Sequence, residues 1–193
     1  MSAPHRFPTR RRAALFDALL TLFLDEGFAH LAIADIAARL RCSKSTLYTL
    51  AESKEQLATL AVTHFFRTAT DQVEDRVAAV DDPAERVSTY LLAVGEALAP
   101  ASAAFIRDVN AFSPTRALYE LNTAAAARRV QTLISDGAAA GAFRDVDAAF
   151  AADLAASMMS RIQRGEVAEV TGLDDATAYR QLAAILTVGI HAH

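Results

Sequence analysis

The chain contains two lysines, Lys44 and Lys54, and each directly follows a serine that can cap a helix. A cation in the first turn of a helix opposes the helix dipole, which favours anions there by about 0.3–1 kcal/mol. Folding alone therefore gives no reason for this placement. Bound phosphate gives one, because helix N-termini offer unpaired N–H groups to anions and the adjacent ammonium adds positive charge. The two lysines predict a surface that contacts DNA.

Other reactive side chains are few and scattered. No nucleophile paired with a base and no glycine-rich phosphate loop is recognisable, so catalysis is not expected. His191 and His193 lie at one end of the sequence and His5 at the other, without the ligand spacing of a metal site. The single cysteine, Cys42, excludes an internal disulfide, fits a reducing compartment and is expected to pack in a core. We therefore expect no enzyme, no metal and no cofactor.

Charge is distributed unevenly along the chain. Residues 1–56 hold eight basic and six acidic side chains, whereas residues 57–193 hold eleven and seventeen. The net charge of −4 over 193 residues would by itself argue against a nucleic-acid binder. The asymmetry instead predicts a small basic head, residues 1–56, on an acidic body, residues 57–193.

Composition favours helices throughout. The chain is 53% hydrophobic, with few glycines and prolines, many alanines and few alternating β-branched runs, which predicts an all-α protein with a real core. No apolar run approaches the ~18 residues of a membrane span. Asp17 and Thr21 interrupt the apolar stretch that follows the N-terminal arginines, so a signal peptide is not predicted and a cytoplasmic location is expected.

Three short helices are predicted in the head. Phe16, Leu19, Leu20 and Phe23 follow helical spacing in a first helix from about Thr9 to Glu26. A two-turn helix follows, with its apolar positions at Ile33, Ile36, Ala37 and Leu40. Residues 41–43 leave room only for a tight turn before Ser43 caps a third helix that runs from Lys44 to about Leu50. Helix, short turn and helix is the arrangement that places its second helix in the major groove.

A long fourth helix is predicted to connect head and body. Residues 53–56 read SKEQ, a capping box in which Ser53 and Gln56 satisfy each other's backbone donors. The helical pattern continues to about Val80. We place the boundary between a DNA-binding domain, residues 1–56, and a ligand-binding and dimerisation domain, residues 57–193, near its start.

The head resembles the N-terminal domain of TetR-family transcriptional repressors. The residues that carry the resemblance read LFDAL at 15–19, LF at 22–23, GF at 27–28, DIA at 35–37, CSKSTLY at 42–48 and SKEQL at 53–57. They cover under a quarter of the chain, but their order and spacing match over about forty residues. The resemblance implies three helices that bind a palindromic operator as a homodimer, and a helical body that binds a small molecule.

The resemblance also assigns roles in DNA binding. It implies that Tyr48 and Lys54 contact phosphates and that Lys44 and Thr46 contact the backbone or bases. Ser45 and Thr49 are expected on the same surface. The chain departs from the family pattern at Arg41, Ala32 and Ala51, where the family usually has a turn glycine, a threonine cap and an aromatic. A non-glycine residue in a left-handed turn costs roughly 1–2 kcal/mol, although Arg41 also offers a phosphate contact.

The body is predicted to contain further helices and a pocket. Pro83 opens one helix, Ser113-Pro114 restarts the chain after another, and Asp145 or Asp147, and then Asp174, can cap the last two. The pocket is expected to be mostly apolar with a few polar anchors. Its candidate lining residues are Phe65, Phe66, Tyr90, Phe105, Asn110, Phe112, Tyr119 and Met158.

Dimerisation is expected through the last two long helices. The eighth helix is rich in small residues and the ninth has an apolar stripe, which fits the four-helix bundle that the resemblance implies. Packing within the chain is the alternative. The candidate interface residues are Ala152, Ala156, Leu182, Ile185 and Leu186.

Three functions remain open from the sequence. The leading one is a homodimeric repressor that a small molecule releases from DNA. The second, suggested by the three departures from the family pattern, is a small-molecule-binding helical protein that has lost specific DNA binding. The third is a helical adaptor, which would need an apolar surface that a sequence does not show.

Overall fold

The all-α prediction is confirmed in a computed structural model of the chain, which describes residues 10–143 and 147–190. These residues form helices and no β-strand. The helices are α1 (Arg10–Glu26), α2 (Ile33–Arg39), α3 (Lys44–Leu47), α4 (Lys54–Ala78), α5 (Pro83–Leu98), α6 (Ala103–Ala111), α7 (Ser113–Ala139), α8 (Ala148–Gln163), α9 (Glu166–Thr171) and α10 (Asp175–Ile190).

Most helix boundaries follow from local signals in the sequence. The predicted cap Ser43 accepts a hydrogen bond from the backbone N–H of Thr46, Ser53 accepts one from Gln56, and Asp147 accepts one from Phe150. Asp174 accepts a bond from the N–H of Thr177 at 2.7 Å, as expected for the last helix. The alternative cap Asp145 and the three histidines at the termini lie outside the described residues.

Three details of the prediction are corrected. Helix α3 ends at Leu47, and the chain continues to Leu50 in tight turns with i to i+3 bonds. The side chain of Gln56 accepts from Glu52 N–H at 2.9 Å, so the capping box closes one residue earlier than expected. The short helix α9 was not foreseen; Gly165 and Gly172 flank it, both with positive φ.

Two apolar cores share the long helix α4. The N-terminal half, from Leu57 to Phe66, packs with α1, α2, α3 and two residues of α6, Phe105 and Val109. The C-terminal half, represented by Val73 and Val77, packs in the body core with α5, α7, α8, α9 and α10. One rigid helix therefore passes from the core of the head into the core of the body.

No single described helix is both long and apolar enough to cross a membrane. Only α5 and α6 taken together reach that length and hydropathy, and they are bent by 91° relative to each other.

Candidate nucleic-acid interface and internal cavity

The turn between α2 and α3 is a helix C-terminal motif built around Arg41. The N–H of Arg41 donates to Ala38 O at 3.1 Å and the N–H of Cys42 donates to Ala37 O at 2.9 Å, the two bonds of a Schellman motif. Arg41 has φ 50°, a conformation for which glycine is the usual residue. The expectation of a left-handed arginine in this turn is confirmed. The motif ends α2 and turns the backbone within three residues, so that Ser43 follows directly as the cap of α3.

The start of α2 compensates for its missing cap. Ala32 has no side-chain oxygen to accept from the first turn, but the carboxylate of Asp35 accepts from the Ala32 N–H at 2.8 Å. This is the return half of a capping box, with the acidic group also placed favourably in the helix dipole. The N–H of Ala32 is therefore satisfied, although residue 32 has no side-chain oxygen to cap the first turn of α2.

Helix α3 and the turn after it bury Leu47 and expose most of their polar side chains. Leu47 is fully buried in the head core, whereas Lys44, Ser45 and Thr49 are exposed and Tyr48 keeps 48% of its surface in solvent. Thr46 is half-buried, and its hydroxyl lies 2.8 Å from that of Ser43. The side chains of Lys44 and Arg41 make no hydrogen bond or ion pair with the described residues. The predicted DNA-contacting residues of α3 thus lie at an accessible surface, with two unneutralised cations beside them.

Lys54 differs from Lys44 because a partner within the protein holds it. Its ammonium donates to the backbone oxygen of Ala29 at 2.7 Å, across the start of α4 to the loop between α1 and α2. Two carboxylates flank it in sequence, Glu52 and Glu55. Hydrogen bonds from its own backbone N–H and from the Ser53 hydroxyl hold the pKa of Glu55 below the usual value, so this neighbour stays charged.

The same loop is tied to the body by Asp108 of α6. The carboxylate of Asp108 accepts from Phe28 N–H at 2.6 Å and from Ala29 N–H at 2.7 Å. Gly27 precedes this pair with φ 79°, and a Cβ at this position would lie 2.5 Å from the Asp108 oxygen. Sequence reasoning missed Asp108, because its partners are about eighty residues away and nothing in the spacing of α6 marks it.

A cavity of about 240 Å³ lies in the body between α4, α5, α7 and α8. Tyr90 is the one predicted pocket residue that lines it. Apolar side chains form most of its wall. The lining residues are Ala69, Thr70, Val73, Glu74, Tyr90, Val94, Ala97, Leu98, Asn122, Thr123, Ala125, Ala126, Arg129, Met159 and Gln163.

The other seven predicted pocket residues lie elsewhere. Phe65, Phe66 and Phe105 are buried in the head core, where the rings of Phe65 and Phe105 meet edge to face with centroids 5.6 Å apart. These aromatic side chains would suit a ligand pocket, but they pack against the apolar side chains of the head instead.

The remaining four have separate positions. Phe112 borders a second cavity, of about 250 Å³, between the head and α6. Asn110 donates to Ile106 O of its own helix, and Met158 packs against the body core. The hydroxyl of Tyr119 donates to the side-chain oxygen of Gln163.

Two groups of polar side chains mark the 240 Å³ cavity. Arg129 and Glu74 form a two-pronged ion pair, with Nε and Nη2 of the guanidinium 2.8–3.1 Å from the carboxylate oxygens. At Gln163, the side-chain oxygen accepts from the Tyr119 hydroxyl and the side-chain nitrogen donates to the Tyr179 hydroxyl at 2.9 Å. Burial raises the pKa of both tyrosines, so they remain protonated hydrogen-bonding groups at neutral pH.

Three of the five predicted dimer contacts are buried within the chain itself. Ala152, Leu182 and Leu186 are buried in the body core, Ala156 is half-buried, and Ile185 is 70% exposed. Small residues on α8 allow close packing within the chain. The apolar face that α8 and α10 leave uncovered, hereafter the α8/α10 face, consists of Phe150, Leu154, Ile185 and Val188.

Within residues 10–143 and 147–190, no group of three His, Cys, Asp or Glu side chains could hold a metal ion. Cys42 is a free, half-buried thiol that packs against the head core.

The head matches a known family, and the whole fold matches solved structures. Residues 15–60 match the family model described as bacterial regulatory proteins, tetR family. A putative transcriptional regulator from Saccharomonospora viridis, solved in complex with choline, has a TM-score of 0.78 at 18% identity over 95% of this chain and 98% of its own. The TetR family regulator PfmR from Thermus thermophilus has a TM-score of 0.70 at 20% identity, over 90% and 97%.

A third structure, AibR in complex with isovaleryl coenzyme A and operator DNA, has a TM-score of 0.67 at 20% identity, covering 92% of this chain and 98% of its own. No curated protein sequence matches the chain.

Proposed function

We propose that the chain, whose residues 15–60 match the model of the tetR family of bacterial regulatory proteins, is a ligand-responsive transcriptional repressor of that family. In this proposal a homodimer binds a palindromic operator, and a small molecule bound in the body releases it. The observation that carries the proposal is the capped helix α3, which follows the tight turn after α2. It buries Leu47 and leaves Lys44, and the adjacent Tyr48, in solvent.

DNA binding follows from the chemistry of that surface. Lys44 and Arg41 have no counter-ion among the described residues, so phosphates can neutralise them without breaking an existing pair. The hydroxyls of Ser45, Thr46 and Tyr48 can donate to phosphate or to base edges. Direct reading of bases is assigned to Lys44 and Thr46, and positioning on the backbone to Tyr48 and Lys54.

The α8/α10 face supports the homodimer. Four large apolar side chains on two adjacent helices are at least half exposed, which is the pattern of a surface that a partner covers. A second copy of the chain supplies the same face, so a two-fold axis between the pairs of helices buries both. Two heads related by that axis can then reach half-sites about 34–36 Å apart, or a multiple of this spacing.

Ligand control is assigned to the cavity of about 240 Å³ and transmitted by α4. Residues 69–74 of α4 border the cavity, whereas its residues 57–66 pack in the head core. A ligand that favours one position of α4 therefore changes the position of the head. If the operator requires the other position of α4, the ligand binds the DNA-free form more tightly than the DNA-bound form, which is the condition for release. AibR, which was solved with both isovaleryl coenzyme A and operator DNA, is a structural relative that binds both kinds of partner.

A test is competition for DNA. The purified protein should bind a duplex from its own promoter region in the presence of excess bulk DNA, as measured by fluorescence anisotropy at fixed salt. A random duplex of equal length is the control. Equal affinity for both duplexes would overturn the repressor proposal.

A second function, ligand binding without specific DNA binding, is favoured by the acidic neighbours of Lys54. Glu52 and Glu55 flank the ammonium and repel phosphate at the same helix end. The promoter experiment separates the two functions, because this alternative requires no preference for any duplex.

A further inference from the structure

Tyr90 carries an unused hydrogen-bond donor inside the body cavity. Its side chain is only 5% exposed and lines the cavity, and none of the described residues forms a hydrogen bond with its hydroxyl. Burial raises its pKa to about 12, so the phenol keeps its proton at neutral pH. The hydroxyl is open to the space of the cavity instead of being sealed in the core. A molecule in the cavity that presents an oxygen acceptor would satisfy it.

The cavity offers no net charge to a ligand. Glu74 and Arg129 are the charged residues in its lining, and they neutralise each other through three contacts of 2.8–3.1 Å. An anion would have to compete with Glu74 for the guanidinium. A cation would have to compete with Arg129 for the carboxylate. Either ion would therefore pay the cost of leaving water without gaining an unpaired partner in the cavity. An uncharged ligand leaves the ion pair between Glu74 and Arg129 intact.

The hydroxyl groups of the lining threonines are already committed. Thr70 donates to Phe66 O at 2.9 Å and Thr123 donates to Tyr119 O at 3.0 Å, both within their own helices. The amide of Gln163 is fixed between two tyrosine hydroxyls and keeps one N–H and one acceptor site for the cavity. The polar demand on a ligand is therefore small and specific. It consists of an acceptor for Tyr90, with the amides of Gln163 and Asn122 as further anchors.

The size of the cavity limits the ligand further. About 240 Å³ is roughly eight times the ~30 Å³ that a water molecule occupies in the liquid. This space holds a compact molecule. Val73, Val94, Leu98 and Met159 supply the apolar wall against which its frame would pack.

We propose that the effector is a compact, uncharged molecule with a carbonyl oxygen on an apolar frame, and that Tyr90 selects it by donating a hydrogen bond to that oxygen. This inference rests on the proposed ligand-controlled regulator and adds the chemical class of its ligand. It distinguishes the chain from the Saccharomonospora viridis protein, which was solved with the cation choline.

Three probes of nearly equal size and different charge test the proposal: acetophenone, benzoate and benzylammonium. We expect acetophenone to bind the full-length protein with a Kd in the ~mM range or below, and at least about ten-fold more tightly than either ion, as measured by ligand-observed NMR titration. Tyr90→Phe keeps the ring and should weaken acetophenone about ten-fold. Thr132→Val removes an exposed hydroxyl of α7 that does not line the cavity and should leave acetophenone binding unchanged.

The charge argument has its own variant. Arg129→Gln leaves Glu74 without its guanidinium and should raise the affinity for benzylammonium above that of the wild type. Equal binding of the three probes, no binding of acetophenone, or an unchanged affinity in Tyr90→Phe would each overturn the proposal.

Promoter binding, measured without probe on the same samples, separates the two levels. Promoter preference without acetophenone binding contradicts only the ligand class. Acetophenone binding that depends on Tyr90, without promoter preference, supports the ligand class and contradicts only the repressor function.

Discussion

Lys44 and Lys54 occupy equivalent positions at two helix starts but have different surroundings. Lys44 has no partner among the described residues, whereas Lys54 donates to Ala29 O at 2.7 Å. The ammonium of the first lysine is therefore free to bind a molecule outside the chain. The second also stabilises the head, by joining the start of α4 to the loop after α1.

Replacing each lysine by alanine should separate these roles. Lys44→Ala is expected to change the free energy of unfolding by less than about 0.5 kcal/mol, because nothing in the protein holds its ammonium. Lys54→Ala is expected to lower it by about 0.5–1 kcal/mol, because a hydrogen bond to a partly exposed carbonyl is lost. Urea denaturation measures both. A stability loss in Lys44→Ala equal to that in Lys54→Ala would contradict this division.

DNA binding gives the second half of the comparison. Each variant should lower the slope of log K against log salt by about 0.9 if one phosphate contact is lost. Lys44→Ala should in addition alter sequence preference if Lys44 reads a base, and a uniform loss across sequences would assign it to phosphate alone. An unchanged slope would remove the lysine concerned from the interface.

Arg41 is held in a conformation that its side chain disfavours. With φ 50° it should cost roughly 1–2 kcal/mol relative to glycine, which is partly offset by the larger entropy of a glycine in the unfolded chain. We expect Arg41→Gly to raise the free energy of unfolding by about 0.5–1 kcal/mol in urea denaturation. Arg41→Ala is the control, since it removes the charge and keeps the strain. A gain in the alanine variant as large as in the glycine variant would contradict the argument.

At the scale of single residues, the sequence predicts what depends on near neighbours. Ser43, Ser53 and Asp147 cap helices because each partner lies three residues away. Most of the predicted pocket residues lie outside the cavity of about 240 Å³, because membership of a cavity depends on packing between distant segments. Phe65 and Phe105 have suitable side chains, but they meet each other in the head core.

At the scale of elements, α6 joins the head to the body. The N–H of Ser102, its cap residue, donates to Leu24 O near the end of α1 at 2.9 Å. Six residues later, Asp108 accepts from the two N–H groups of Phe28 and Ala29. A helix of nine residues therefore has a hydrogen-bonded attachment to the head at each end.

Asp108→Asn should loosen this attachment without changing the shape of the side chain. Both N–H groups donate to the same carboxylate oxygen, Oδ2, and the substitution replaces this charged acceptor with a neutral one, so we expect a decrease of about 1–2 kcal/mol in the free energy of unfolding. The amide hydrogens of Phe28 and Ala29 should exchange faster with solvent in NMR spectra. Asp25→Asn makes the same chemical change at an exposed position of α1 without a partner and should change neither quantity. Unchanged exchange at Phe28 and Ala29 would contradict the role of Asp108.

Among the elements, periodicity predicted the long helices and missed the short one. Helix α9 has six residues, of which only Val167 is buried, so it contains no apolar stripe to detect. Gly165 and Gly172 mark both of its ends, but such glycines predict breaks and not the turn of helix between them. The helix-turn-helix was predictable because its turn length and caps lie within about ten residues of sequence.

At the scale of the whole molecule, the α8/α10 face is the surface that a second copy should cover. Ile185 and Phe150 are about 70% exposed, and burying such side chains contributes about 1.5–3 kcal/mol each. We expect the wild-type protein to be a dimer in sedimentation equilibrium.

Ile185→Glu should convert that dimer into monomers and weaken operator binding by about 100-fold or more, because two linked heads bind more tightly than one. Val170→Glu is the matched control. Val170 is 77% exposed on α9, outside the α8/α10 face, and its replacement should leave the dimer intact. Dimers of Ile185→Glu with unchanged operator affinity would contradict the proposed assembly.

At this scale the sequence predicted the helices, but not which of their residues face the chain's own core. Ala152 and Leu186 belong to elements that were expected at the interface, yet they point into the body core. Which side of a helix faces its own chain depends on the rotation of that helix, and an apolar stripe on α10 could have served either purpose.

The bond between Lys54 and Ala29 has a consequence for the speed and cost of recognition. A lysine ammonium has three N–H donors, so one can remain on the carbonyl while two point outward. Fixing a free lysine side chain costs about 1.5–2 kcal/mol of rotamer entropy. Because Lys54 is already held in the folded protein, much of this cost falls on folding and not on DNA binding. The loop after α1 therefore acts as a template that orients a charge before any phosphate arrives.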